Sequence, residues 1–189
     1  MDATTVSNRS NTLAGAADER AAGEERAADK RAAADEQAAA AWVAAFAEGW
    51  RAPIDADSFA DHFERWLDPS VVLVQPQVRV TTGHQAFREQ FARPLFDLIP
   101  DLHGAVQGWA ARGGVVYIEL LLEGTIGRRP VTLRTVDRVT LRDGLAIERV
   151  AHLDPTPLLA AVVLTPRTWP RMARLQIENL LGARRRRSA

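Results

Sequence analysis

Cysteine is absent from the 189 residues, and with it go disulfides, thiol nucleophiles and every thiolate-ligated metal. Such a chain suits a reducing cytosol, and a cytoplasmic location is the expectation. Lysine is nearly as scarce: Lys30 is the one lysine among 24 basic residues. With so much alanine, that usage fits GC-rich coding, so arginine abundance alone points to no function. Long apolar runs are also missing. The longest, Ala38–Ala47 and Leu158–Leu164, fall well short of the ~20 residues a membrane span needs, so no membrane insertion is expected. Met1–Ser10 has no basic stretch leading into an apolar core, and no signal peptide is expected there. A His-x-x-x-His zinc spacing, a Gly-x-Gly-x-x-Gly turn, a P-loop and a Gly-x-Ser-x-Gly elbow are missing too. No metal, dinucleotide or triphosphate is therefore implied, and no cofactor is expected.

An excess of either charge is lacking as well. Basic and acidic residues both number 24, which excludes a uniformly basic nucleic-acid binder. The balance hides a layout: 5 basic and 8 acidic residues over 1–40, 12 and 15 over 41–166, and 7 and 1 over 167–189. A mildly acidic body thus carries a basic tail, Arg184–Arg187. Four arginines can contact phosphate, but beside an acidic body a solvated end is the preferred reading, and nucleic acid is not an expected partner. What remains is ordinary: 47% hydrophobic and 25% charged residues, and a length for one domain with appendages.

Residues 1–12 are polar and read as disordered. From Leu13 to Ala41 the chain is alanine, charge and glycine, with loose repeats at Ala17–Arg20, Ala28–Arg31 and Ala34–Gln37. Alanine favours helix, yet from Ala14 to Ala41 no large apolar side chain gives this stretch a face to bury. Residues 1–40 are an N-terminal extension, a solvated helix or disorder. Trp42, Phe46 and Trp50 then recur at helical spacing, and Pro53 ends that helix. A second helix, capped by Asp57 or Ser58, carries Phe59 and Phe63 as far as Trp66–Leu67 and stops at Asp68-Pro69. Val71–Pro76 reads as a short strand. A third helix runs from His84 to about Leu98.

Four strands follow, roughly 102–111, 115–125, 130–142 and 145–154. Arg112-Gly113-Gly114, Gly127–Pro130 and Asp143-Gly144 supply the turns. The third strand alternates cleanly: Val131, Leu133, Thr135, Asp137, Val139 and Leu141 share the side expected to face the core. A carboxylate among inward residues is the first chemically informative feature. Beyond Pro155, two helices, Leu158–Leu164 and Trp169–Leu181, make residues 158–189 a C-terminal helical extension. The fold class is α+β, with helices gathered on one face of a curved antiparallel sheet.

These pieces resemble a known family. The helix around Phe46–Trp50, the strand ending Leu73–Pro76, Gly83–Phe91, Ile99–Leu102, Val136–Arg138, Asp143–Ile147 and the closing His152-Leu-Asp-Pro155 follow in the order of the cone-shaped domain shared by nuclear transport factor 2, ketosteroid isomerase and SnoaL-like polyketide cyclases. The SnoaL-like proteins are the nearest in flavour. The resemblance covers the body, residues 41–157.

For ketosteroid isomerases the resemblance implies a carboxylate base and an oxyanion hole of tyrosine and protonated aspartic acid. The base position falls on Gln75, which exchanges no proton, and the first helix has no tyrosine. Asp137 matches the aspartic acid. SnoaL-like cyclases, which use an aspartate near the inner sheet for aldol closure, are matched better. The family register turns Val150, His152 and Asp154 inward, so Asp137, His152 and Asp154 are expected to converge as acid–base groups. A buried carboxyl or an imidazole has a pKa suited to removing a proton beside a ketone. The expected ligand is a small hydrophobic carbonyl compound, lined by Trp42, Phe46, Trp50, Gln75, Tyr117 and Glu119.

Each choice has a plainer counterpart. Asp137 can pair with an arginine, and Asp154 can cap the helix after Pro155. His84 reads as a surface or capping residue, His62 as solvated, and His103 carries no signal. Tyr117 and Glu119 share a strand face that alternation leaves undecided between pocket and dimer surface. A non-catalytic ligand-binding or interaction module of the same fold is the competing class. A homodimer through the outer sheet face is expected.

Overall fold

The computed structural model describes residues 4–76 and 80–165, with side chains from Arg20 onward except residue 21. Helix α1 runs unbroken from Thr4 to Arg51. The stretch read as disordered up to residue 12 is helical from Thr4, because an alanine-rich helix propagates readily once its end is anchored. Residues 23–37 are exposed along the whole circumference, as their lack of large apolar side chains dictates. Burial begins at Ala39 and continues through Trp42, Val43, Phe46 and Trp50.

Helix α2 spans Ala56–Glu64 and is capped by Asp55, not by Asp57 or Ser58. The Asp55 carboxylate accepts from the Ser58 backbone N–H at 2.7 Å, while the Ser58 hydroxyl receives the Asp55 N–H at 3.1 Å. This reciprocal box satisfies two N–H groups that a helix start leaves free. Bonding from Ser58 also lowers the Asp55 pKa below its ordinary 3.8. Helices α1 and α2 approach so closely at Gly49 that an added Cβ would lie 2.6 Å from both His62 and Phe63. His62 is half-buried, with Nε2 2.8 Å from the Ala45 carbonyl, so it ties the helices together and is not solvated.

Strand β1 is Leu67–Val74. It absorbs the Asp68-Pro69 pair expected to precede it, since an edge segment tolerates proline. A short strand β2, Thr81–Thr82, pairs with it. The third helix is not uniform. It consists of a turn α3 (His84–Ala86), a π-helical segment (Phe87–Ala92) and α4 (Arg93–Leu98). Pro94 offers no N–H and crowds the carbonyl four residues back, and the widened turn just before it relieves that conflict. Arg88 joins this segment to α2 through Asp61, Asp57 and Glu64; those bonds, Asp61 first, raise its pKa.

Strands β3 (His103–Arg112), β4 (Val115–Ile126), β5 (Arg129–Arg142) and β6 (Leu145–Leu153) lie close to their expected positions. The six-stranded sheet has the order β2-β1-β6-β5-β4-β3. Among the described residues only the β1–β6 pairing is parallel. Asp143 and Gly144 both have positive φ, 52° and 78°, the pair of left-handed residues a type I′ hairpin requires.

One irregularity sets the chemistry of β6. Thr140 faces Glu148 but Leu141 faces Ala146, so Ile147 is an extra residue, a β-bulge. A bulge shifts the alternation by one and reverses every side chain beyond it. Helix α5, Thr156–Val163, closes the described chain against β5. The expected helix over Trp169–Leu181 and the Arg184–Arg187 tail lie outside the described residues. No described helix is long and apolar enough to cross a membrane.

Candidate functional site

The inner face of the sheet and the helices above it enclose an aromatic box. Trp42 stacks on Phe46 with ring centroids 5.2 Å apart. Phe59 sits at the centre, 4.8 Å from Trp50, 4.6 Å from Phe63 and 5.2 Å from Phe96. The π-helical segment contributes Phe87 and Phe91. Such rings supply most of the buried apolar area and prefer these tilted and edge-on contacts. Within the box lies a cavity of about 10 Å³, lined by Trp42, Phe46, Trp50, Phe59, Phe63, Leu73, Phe87, Phe91 and Arg149. That is room for about one oxygen atom or water.

Asp137 is fully buried, as the β5 alternation predicts. Its partner is Arg149, one of the residues that the bulge turns inward. Arg149 donates from Nε at 2.9 Å and from Nη2 at 2.6 Å, both to Asp137 Oδ2. The other oxygen, Oδ1, accepts a longer bond from the Thr135 hydroxyl at 3.4 Å. The guanidinium carbon also lies 5.6–6.0 Å from the ring centroids of Phe91, Phe46 and Trp50, within cation–π range. Charge, hydrogen bonds and aromatic faces thus compensate for the desolvation of this pair.

His152 and Asp154 do not join it. His152 faces Val136 across β5, on the outer side of the sheet, and both His152 and Asp154 are exposed. Without the bulge, counting in twos from buried Ala146 would have turned Val150 and His152 inward; with it, Arg149 and Ala151 take that side. Asp154 accepts the Thr156 N–H at 2.9 Å at the start of α5. Bonding from Thr156, hydroxyl first and backbone second, lowers its pKa, the wrong direction for a proton-holding acid near neutrality. Asp154 does not cap α5 as the plainer reading expected: Pro155 holds the N-cap position with no side-chain cap bond, and Asp154 forms an Asx turn one residue ahead of it.

Tyr117 and Glu119 are likewise exposed on the outer face, paired with Arg138 and Val136. They are not cavity residues. Gln75 is half-buried just beyond β1 and is not among the cavity's lining residues. Trp42, Phe46 and Trp50 do line it. His84 packs Nε2 2.9 Å from the Leu67 carbonyl, and His103 sets Nδ1 3.0 Å from the Asp101 carbonyl; neither reaches the cavity. Arg149 escaped the sequence reading because alternation without the bulge gives it the wrong face. Among the described residues, no group of three or more acidic and histidine side chains is arranged to hold a metal.

Helices roofing a curved sheet, with the polar pair on the inward face, define a cone of the nuclear transport factor 2 type. A family model described as SnoaL-like domain matches residues 31–149, and the chain belongs to that family. Its fold is similar to that of a putative SnoaL-like polyketide cyclase from Jannaschia sp. CCS1, with a TM-score of 0.58 at 21% identity over 67% of this chain and 92% of that one. TerC co-crystallised with polyporic acid is similar too, with a TM-score of 0.57 at 20% identity over 66% and 97%. An LEH-like epoxide hydrolase of M. tuberculosis gives 0.54 at 14% identity over 70% and 95%. At such identities the likeness carries the fold alone. No curated protein matches the chain by sequence.

Proposed function

We propose that the chain is a small-molecule-binding protein of the SnoaL-like type, whose ligand is a small hydrophobic carbonyl compound seated in the aromatic box. The observation that carries this reading is Arg149, a nearly buried cation lining an otherwise aromatic and aliphatic cavity. Asp137 holds Arg149 in place and leaves the rest of the guanidinium to meet an oxygen acceptor. Any ligand larger than an oxygen atom enters by parting the rings, so binding selects an opened form of the box. Trp42 and Trp50 report it directly. Titration with aryl ketones should quench tryptophan fluorescence saturably, and Arg149→Met should remove most of that response. No saturable response at millimolar ketone would defeat the reading.

Acid–base catalysis is the second reading, and the weakly engaged Oδ1 of Asp137 favours it. Asp137 does not line the closed cavity, so in that scheme the opened form of the box brings it to the carbon beside the carbonyl, whose proton it takes. The C–H electron pair becomes the C=C of an enolate, and the carbonyl pair moves onto oxygen, where Arg149 receives the charge. Asp137→Asn then abolishes turnover while ketone binding persists; turnover that survives Asp137→Asn excludes the scheme. His152 and Asp154 have no part in it. The outer sheet face, with Tyr117 and Val136 exposed, is proposed to pair with a second copy.

A further inference from the structure

One donor in the aromatic box is unmet. Trp50 Nε1 is buried and has no hydrogen-bond partner among the described residues. The other indole of the same helix face, Trp42, gives its N–H to the Trp66 carbonyl at 2.9 Å, so the helix satisfies one tryptophan and leaves the other. A phenylalanine would fill that space without the unmet N–H, whose burial is unfavourable unless something accepts from it.

The cavity's inventory says what kind of group accepts. Trp50 and Arg149 are the lining residues with N–H groups left to give, and the side chains of Phe46, Phe59, Phe63, Leu73, Phe87 and Phe91 offer no acceptor. The Asp137 carboxylate accepts from Arg149 and does not line the cavity. The cavity is therefore a donor-only environment and calls for an acceptor.

Charge decides between acceptors. Arg149 and Asp137 already neutralise one another, so a carboxylate or phenolate ligand would bring an uncompensated negative charge among buried, mostly apolar side chains. Such burial is strongly unfavourable, whereas a ketone or aldehyde oxygen brings none. The space itself, about 10 Å³, suits a single oxygen atom.

We propose that Trp50 Nε1 is the donor that receives the carbonyl oxygen of a neutral, planar ligand, and that the site discriminates against anions of the same shape. This rests on the small-molecule reading above and adds to it the residue and the charge that set specificity. The test uses acetophenone, ethylbenzene and benzoate, which share a ring but differ in acceptor and charge, titrated against the full chain by calorimetry. Acetophenone should bind at least about tenfold more tightly than either of the others, a difference of ~1.4 kcal/mol. In Trp50→Phe the ratio between acetophenone and ethylbenzene should fall toward one; comparing two ligands within one variant cancels the change in ring size.

A ratio unchanged in Trp50→Phe but lost in Arg149→Met overturns this inference and leaves the small-molecule reading standing. Benzoate binding as tightly as acetophenone overturns the charge argument. If none of the three binds the wild type, the small-molecule reading itself fails. A second measurement needs no variant. The Trp50 indole N–H resonance should move with acetophenone and stay with ethylbenzene; equal movement with both would mean the N–H meets no carbonyl.

Discussion

Two ion pairs cross the same pair of strands, one on each face of the sheet. On the inner face Arg149 meets Asp137 at 2.6 Å, with side-chain exposures of 9% and 0%. On the outer face Arg138 meets Glu148 at the same 2.6 Å, with exposures of 35% and 37%. Distance does not distinguish them; surroundings do. The inner pair is walled by aromatic rings in a low-dielectric interior, where losing one partner strands a charge. The outer pair is half in water, which screens its attraction and solvates either partner left alone. Two arginine–carboxylate pairs, one strand step apart, therefore have opposite consequences.

The largest break in that comparison is Asp137→Ala. It leaves Arg149 buried and unpaired, and the expected loss of unfolding free energy is about 3–5 kcal/mol, read from urea denaturation. Removing both charges, as in Asp137→Leu with Arg149→Met, should recover most of that loss because an apolar pair suits the aromatic walls. A double variant as unstable as Asp137→Ala would mean the pair's geometry, rather than stranded charge, holds the inner face together.

The outer face differs in a second way: it exposes Tyr117 and Val136, 50% and 43% accessible. If a second copy covers it, Val136→Lys should convert a dimer to a monomer in sedimentation experiments at micromolar concentration. Lysine at that position faces Glu119 across the strand, so the monomer itself keeps its stability. Wild-type protein that sediments as a monomer at those concentrations defeats the pairing.

Much of this was legible in the sequence, and the part that was not has a single mechanical cause. The regular strand β5 announced buried Asp137 through strict alternation, and Trp42, Phe46 and Trp50 announced the box through helical spacing. Two-residue turns with glycine fixed the hairpins. The bulge at Ile147 leaves no such mark: neither Ile147 nor its neighbours is a glycine or proline, and β6 is mixed enough to read in either phase. Its shift of one residue exchanged Arg149 for His152 at the site. Register errors of this kind invert a whole face, which is why the fold survived the reading and the catalytic grouping did not. The π-helical turn before Pro94 escaped for a related reason, since a proline at that point also fits a plain helix end.

The smallest expected effect sharpens the comparison from the other side. Arg138→Ala deletes the outer pair and leaves Glu148 partly in water, so no charge is stranded. The expected change is about 0–1 kcal/mol, and for the like-for-like contrast it is measured in the Val136→Lys background, where the outer face remains solvated. Salt should separate the two pairs further. At 1 M ionic strength the Debye length falls to ~3 Å, so the contribution of Arg138–Glu148 should shrink toward zero. The penalty of Asp137→Ala should hold, because ions do not enter the box. A penalty for Asp137→Ala that fades with salt as the Arg138→Ala penalty does would mean water and ions reach Arg149, and the closed aromatic box would have to be given up.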